Sequence, residues 1–189
     1  MQVSVEESLN IKQASARQVS ENHVDIRLPA FWSDSLKSEI IEKLLIRLQR
    51  QNNREKSLLA SVASQAHRTF HSVDELLPFV ININNNTFQA KLGPIQIGSA
   101  KYSRLAQLNT ESKVMTISSY CIKNVPETAI RYLIVHELAH YFQHGHGIRF
   151  WKLVSRYVPD YKLQSRIIKA VHHQAVLKEQ AALSVSLIS

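Results

Sequence analysis

The segment His136–Trp151, HELAHYFQHGHGIRFW, gathers four of the chain's nine histidines into eleven residues. His136 and His140 are four apart. On a helix that spacing stacks two imidazoles on one face, one turn apart, as two ligands of a single tetrahedral metal require. Glu137, beside the first histidine, reaches a water on that metal and suits a general base. This is the HExxH arrangement of metal-dependent hydrolases. A catalytic zinc needs a third protein ligand and an open position for water. His144 continues the helical row. Gly145 and Gly147, however, signal a turn, and a turn swings a side chain back toward the metal, so His146 is the preferred third ligand. The HExxHxxxxxH spacing also belongs to metzincins. Those require glycine three residues after the second histidine, where this chain has Gln143. They also require a downstream methionine turn, and the only methionines are Met1 and Met115.

The elements that position this site are read from hydrophobic period. VPETAIRYLIVHELAHYFQ predicts a helix opened by Pro126 and Glu127. Histidines aside, its only charges from Ala129 to Phe142 are Arg131 and Glu137. A helix apolar on nearly all sides is a buried one, so its carboxylate and histidines must be paired or line a cavity. GHG ends it. IRFWKLVSRYV then forms a short amphipathic helix with Phe150, Leu153, Val154 and Tyr157 inward, and 162–183 a last helix. Upstream, residues 1–22 read as a polar tail and HVDIRLP (23–29) as a strand. A helix capped by Ser33 or Asp34 spans about 34–50 and ends at QNNREK, and a weaker helix spans about 55–70. PFVININNNTFQAKLGP (78–94) reads as a strand pair turned by its asparagines. IQIGSAKYSRLAQLN and KVMTISSYCI read as two strands joined by TES. Residues 78–122 are thus expected to form a small antiparallel sheet.

Length and composition bound the rest. A chain of 189 residues, 44% hydrophobic and 20% charged, suits one globular domain, here 23–189. No apolar run is long enough to span a bilayer. The N-terminal segment lacks the apolar core of a signal peptide, so a cytoplasmic protein is expected. The single cysteine, Cys121, excludes an internal disulfide and a four-cysteine zinc ribbon, and reads as a buried small hydrophobe. The net charge is +8, and 141–178 carries seven Lys/Arg against one acid, Asp160. That basic face is either a solvated helix surface or a contact for nucleic acid. His172 and His173 read as an exposed pair, and His67 and His71 as surface residues of a helix.

VHELAHYFQHGHGIRFWKLVSRYVPDY resembles the YgjP-like metal-dependent hydrolases, relatives of the SprT-like and WLM metallopeptidases, also called minigluzincins. His136, Glu137 and His140 match the family's HELAH helix. Gly145-His146-Gly147 replaces its Asn-His-Ser turn, which puts His146 on the family's third zinc ligand. Phe150-Trp151 and Pro159 match its later Phe-Trp and proline. The family's Trp-Gly-Ser-Cys segment is replaced here by SAKYSRLAQLN. The resemblance implies an α+β fold: a small zincin-like metallopeptidase domain with a short antiparallel or mixed sheet packed on the HExxH helix. It implies Zn2+ on His136, His140 and His146, and peptide hydrolysis with Glu137 as general base. A peptide or protein substrate is expected to pair with an edge strand, taken as 113–120. The oxyanion donor is sought among Tyr102, Tyr120, Tyr141, Tyr157 and Arg149. Two other functions stay open. One is a nucleic-acid-associated protein using the basic face, with a structural metal or a DNA-recruited protease role. The other is a zinc hydrolase of a non-peptide substrate.

Overall fold

The computed structural model describes residues 2–101 and 104–186. Its chain divides into two compact units, 1–58 with 174–189, and 59–173.

The first unit is built on a three-stranded sheet. Strand β1 (Gln2–Ser8) pairs parallel to β3 (His23–Pro29), and β2 (Ser15–Ser20) pairs antiparallel to it on the other side. Residues 2–20, expected as a polar tail, are therefore two edge strands. Their polarity follows from position: neither has a buried residue, whereas β3 buries Val24, Ile26 and Leu28 at alternate positions, as a central strand with one covered face must. Helix α1 (Asp34–Ser61) covers that face with Ile40, Ile41, Leu44, Leu45 and Leu48. The Ser33 hydroxyl accepts from the Leu36 N–H at its start, the expected cap. The helix does not stop at QNNREK. That stretch holds no Gly or Pro, and the Gln51 amide donates to Glu55 one turn on at 2.9 Å, a pairing that supports continued helix. The expected helix over 55–70 is thus the end of α1, followed by a short strand β4 (His67–Arg68). His67 lies on that strand and His71 just before the next helix, so neither sits on a surface helix.

In the second unit, 78–94 departs most from expectation. Its first part belongs to helix α2 (Val73–Asn85), which runs through Pro78. A proline inside a helix costs about 3 kcal/mol. Burial offsets it, because Leu76, Val80, Ile83 and Asn84 fall on one buried face at helical spacing. The ends are well satisfied. Ser72 accepts from the Glu75 N–H, while the Glu75 carboxylate accepts from the His71 N–H at 2.8 Å, a variant of the capping box. Buried Asn84 exchanges two hydrogen bonds with the Ala90 backbone.

Three strands follow: β5 (Ile95–Gly98), β6 (Ala106–Leu108) and β7 (Met115–Ser118). Their order is β5-β7-β6, with β7 parallel to β5 and antiparallel to β6. The sheet is mixed, and β7 is its centre. The stretch 113–120 therefore offers no free edge, and the edge beside the site is β6. The β6–β7 hairpin is set by Asn109, whose side-chain oxygen accepts from the N–H groups of Glu111 and Ser112 at 2.9 Å each. Beyond a 3₁₀ turn at Ser119–Cys121, strand β8 (Val125–Pro126) pairs with β4 and leads into α3 (Glu127–Ala139). Glu127, in the first turn of α3, pairs with Arg68 at 2.8 Å. Helices α4 (Ile148–Tyr157) and α5 (Tyr161–Ser186) complete the chain. Among the described residues no helix is long and apolar enough to cross a membrane.

Nine of the thirteen residues of α3 are buried, so the helix is covered on nearly every side, as its composition predicts. Ile130, Ile134 and Val135 disfavour helix slightly through χ1 restriction. Each fully buried large aliphatic side chain returns about 1.5–3 kcal/mol, which settles the balance. Cys121 is buried, and burial pushes its thiol up, out of the reactive range. His172 is not exposed: its Nε2 lies 3.1 Å from the Ala100 carbonyl and its ring packs edge-on against Tyr120.

Candidate metal centre

The buried helix α3 holds His136 and His140 with ring centroids 5.1 Å apart. The helix ends at His140, whose N–H donates to the Glu137 carbonyl, and the following N–H groups keep the same tight spacing. The chain then turns through Gly145 and returns His146. Its Nε2 lies 3.1 Å from that of His136. Each of the three histidines offers a ring nitrogen within 4.8 Å of the other two. Tetrahedral zinc–nitrogen bonds imply nitrogens about 3.3 Å apart, so small rotations close the set around one ion. His144 is exposed and outside the cluster. Neither Gly145 nor Gly147 has a positive φ, and a Cβ at either meets nothing within 4 Å. The turn comes from the helix end, not from glycine's special conformations.

Two further contacts orient the rings. The His140 Nδ1–H donates to the Gln143 carbonyl at 3.1 Å, which leaves Nε2 with its lone pair toward the cluster. His136 Nδ1 lies 3.3 Å from the Tyr132 hydroxyl. Contacts of this kind fix the tautomer of metal-binding histidines. Below them sits Phe150, fully buried, its ring centroid 4.9, 4.6 and 4.7 Å from those of His136, His140 and His146. Trp151 flanks His136 and His146 and stacks on Tyr161 at 4.8 Å. The Phe-Trp pair is thus an aromatic bed for the imidazoles.

Burial pushes the His136 imidazole down to about 3, helped by the neighbouring His140 and His146 and by Lys169. Burial also lowers His140. Both rings are therefore neutral at pH 7, the form a metal needs. Glu137 is 6% exposed. Burial pushes its carboxyl up to about 7, and a hydrogen bond from the Leu108 N–H at 3.0 Å partly offsets this. Asn109 and Leu105 bond β7 on either side of Leu108. By antiparallel alternation, Ala106 and Leu108 therefore turn their peptide groups away from β7. Glu137 thus sits on the free edge of β6. Beside it opens a cleft of about 320 Å³ whose lining includes Arg104, Ala106, Tyr132, Trp151 and Lys169. Three converging imidazoles with one adjacent buried carboxylate fit a catalytic metal.

The family model for the YgjP-like metallopeptidase domain matches residues 6–170. The chain belongs to the YgjP-like metallopeptidase family. A YgjP-like domain is a metal-dependent peptidase, so the protein is assigned to the metal-dependent hydrolases. Among solved structures, the zymogen of the Pyrococcus abyssi metallopeptidase abylysin aligns with 50% of this chain and 88% of its own, at 24% identity and a TM-score of 0.39. No curated protein matches significantly.

Of the other residues singled out in this YgjP-like chain, Tyr120 is buried against His172. Tyr157 donates its hydroxyl to the Thr87 carbonyl at 2.9 Å, and Tyr141 lies under the Lys113 ammonium. Arg149 is exposed. None of these lines the cleft. Tyr102 lies outside the described residues. Sequence reasoning passed over Tyr132, although its position four before His136 is the signal that places it on the same face. No local signal marks Leu108, which reaches Glu137 through strand order alone.

Proposed function

We propose that this protein is a zinc-dependent peptidase in which His136, His140 and His146 hold the ion and Glu137 is the general base. The convergence of three ring nitrogens within 4.8 Å beside a buried, anchored carboxylate carries the proposal. When bound, zinc supplies a Lewis acid for the scissile carbonyl and acidifies the attacking water. The Leu108 N–H holds Glu137 Oε2, leaving Oε1 to take the water's proton and deliver it to the departing amine. A carboxyl titrating near neutrality suits both halves of that transfer. Phe150 and Trp151 hold the imidazoles in place and keep water from their apolar side. Ala106, facing outward on β6 and lining the cleft, offers its N–H and C=O to an extended peptide.

The test combines metal content and turnover. About one zinc per chain is expected in wild type, lost in His146→Ala and kept in His144→Ala. Glu137→Gln keeps the zinc and loses peptide hydrolysis. Wild type that binds no stoichiometric metal, or Glu137→Gln that cleaves peptides at the wild-type rate, defeats the proposal. Three imidazoles also accept cobalt, nickel or iron, so the metal is identified by the same measurement.

A further inference from the structure

We propose that the cleft beside the three histidines selects an acidic side chain next to the scissile bond, held by Lys169 and Arg104. This rests on reading the site as a peptidase centre and adds the substrate class. Charge carries the argument. The cleft's only carboxylate is Glu137, whose Oε2 is held by the Leu108 N–H. Its two cations come from different elements, Lys169 from α5 and Arg104 from the segment entering β6. Among the described residues no ion pair engages either one. Arg104 donates instead to the neutral Gln107 side chain at 2.6 Å.

The positive field extends outward. On α5, Lys162 and Arg166 precede Lys169 at spacings of four and three, so the three share one stripe, and all are exposed. On α4, Arg149, Lys152 and Arg156 form a similar exposed stripe. Asp160, the one acid between these helices, accepts from the Gln164 amide at 2.7 Å. Lys162 and Arg166, on the stripe of Lys169, extend its positive charge along α5 beyond the cleft. The side chain of an acidic peptide in the cleft meets two exposed cations, so the contact is charge-assisted and weakens as salt rises.

The observations favour a peptide over nucleic acid. A cleft of about 320 Å³ has the scale of a side chain or small ligand. Of the aromatic side chains that line it, Trp151 is stacked on Tyr161 and Tyr132 lies edge-on to His136, so both are taken up before any base arrives.

The experiment profiles zinc-loaded enzyme on a fluorogenic peptide library randomised on both sides of the scissile bond. Glu and Asp are expected at one flanking position, about tenfold or more above Ala in kcat/KM and mostly through KM. Lys169→Glu inverts that preference toward Lys and Arg, and Lys169→Arg retains it. A profile without acid preference, or one unmoved by Lys169→Glu, overturns the proposal. If zinc-loaded wild type cleaves no peptide, the peptidase reading fails, and the subsite is judged by binding. A fluorescent Glu-rich peptide is titrated against zinc-loaded Glu137→Gln, with and without Lys169→Glu. Binding lost with the charge reversal supports an acidic subsite. No binding overturns it, as does tighter, Lys169-dependent binding of a DNA oligonucleotide.

Discussion

Helices α1 and α3 answer the same covalent rules in opposite ways. α1 has twenty-eight residues and buries none of them fully, whereas α3 has thirteen and buries nine. α1 lays one apolar stripe on a sheet and leaves the rest to water and to surface pairs such as Glu39–Lys43. α3 is enclosed, so every polar group on it must find a partner. His136 finds Tyr132 and His146, His140 finds the Gln143 carbonyl, and Glu137 finds the Leu108 N–H. The lesson is that enclosure creates the site's chemistry. The same burial that encloses α3 keeps the His136 and His140 imidazoles neutral and holds the Glu137 carboxyl near neutrality.

The comparison breaks most severely under α3. Phe150→Ala removes the ring on which three imidazoles rest and leaves a cavity. We expect a loss of about 3–5 kcal/mol in chemical denaturation, together with weakened metal binding. Leu44→Ala on the half-buried stripe of α1 is expected to cost clearly less and to leave metal content unchanged. Equal losses at the two positions would mean the enclosure of α3 has no energetic consequence.

The next effect is electrostatic. In metal-free protein the Glu137 carboxyl, raised to about 7 from an ordinary 4.5, holds its proton when folded and releases it when unfolded. The folded state binds more protons between those values, so this contribution to stability is full below pH 4.5 and is lost as pH rises to 7. The change is on the order of 3 kcal/mol. Metal-free Glu137→Gln is therefore expected to be more stable than wild type at pH 8 and nearly equal at pH 4, by urea denaturation of chelated samples. His136, depressed instead, loses stability as pH falls below 6.5. It is present in both proteins and cancels in the comparison. A difference independent of pH would show that Glu137 is not desolvated.

The parts of the molecule legible in the sequence are those set by local spacing. The apolar surround of α3, the four-residue step from His136 to His140, the Ser33 cap and the inward face of α4 all follow from residues within a turn or two of each other. What escaped depends on distant partners. Pro78 and the asparagines of VININNN look like strand and turn until Leu76, Val80 and Ile83 find a common face to bury. The Ser72-to-Glu75 cap was readable there and outweighs the proline. Strand order is a property of the sheet, so nothing within 113–120 says that β7 is central and β6 is the edge. Residues 2–20 carry too little apolar character to reveal strands that form only against β3. Of the candidate centre, the cluster on HELAH was legible, whereas the contacts of Tyr132 and Leu108 needed the fold.

Tyr132→Phe sharpens the comparison at smaller amplitude. The hydroxyl meets His136 Nδ1 at 3.3 Å, and deleting such a partner typically weakens a metal site about tenfold or more. The ring itself stays, so folding is expected to change little. Competition with a chelator reads the affinity. Unchanged affinity would mean that Phe150 alone orients the imidazole. On α1 the matching deletion is Ser33→Ala, which removes a cap worth about 1 kcal/mol and leaves the metal untouched.

The smallest expected effect is at Gly145. The sequence presents it as a turn-maker, but its φ is not positive and a Cβ there meets no atom within 4 Å. Gly145→Ala is therefore expected to keep the zinc and the fold, with stability changed by less than about 1 kcal/mol. A slight gain is reasonable, because alanine leaves the unfolded chain fewer conformations to lose. If Gly145→Ala instead releases the metal, the loop that returns His146 adopts a conformation only glycine allows, and the geometry of the three histidines must differ from the one described. Metal content of this single variant thus separates a site held by its aromatic bed and enclosed helix from one held by a strained turn.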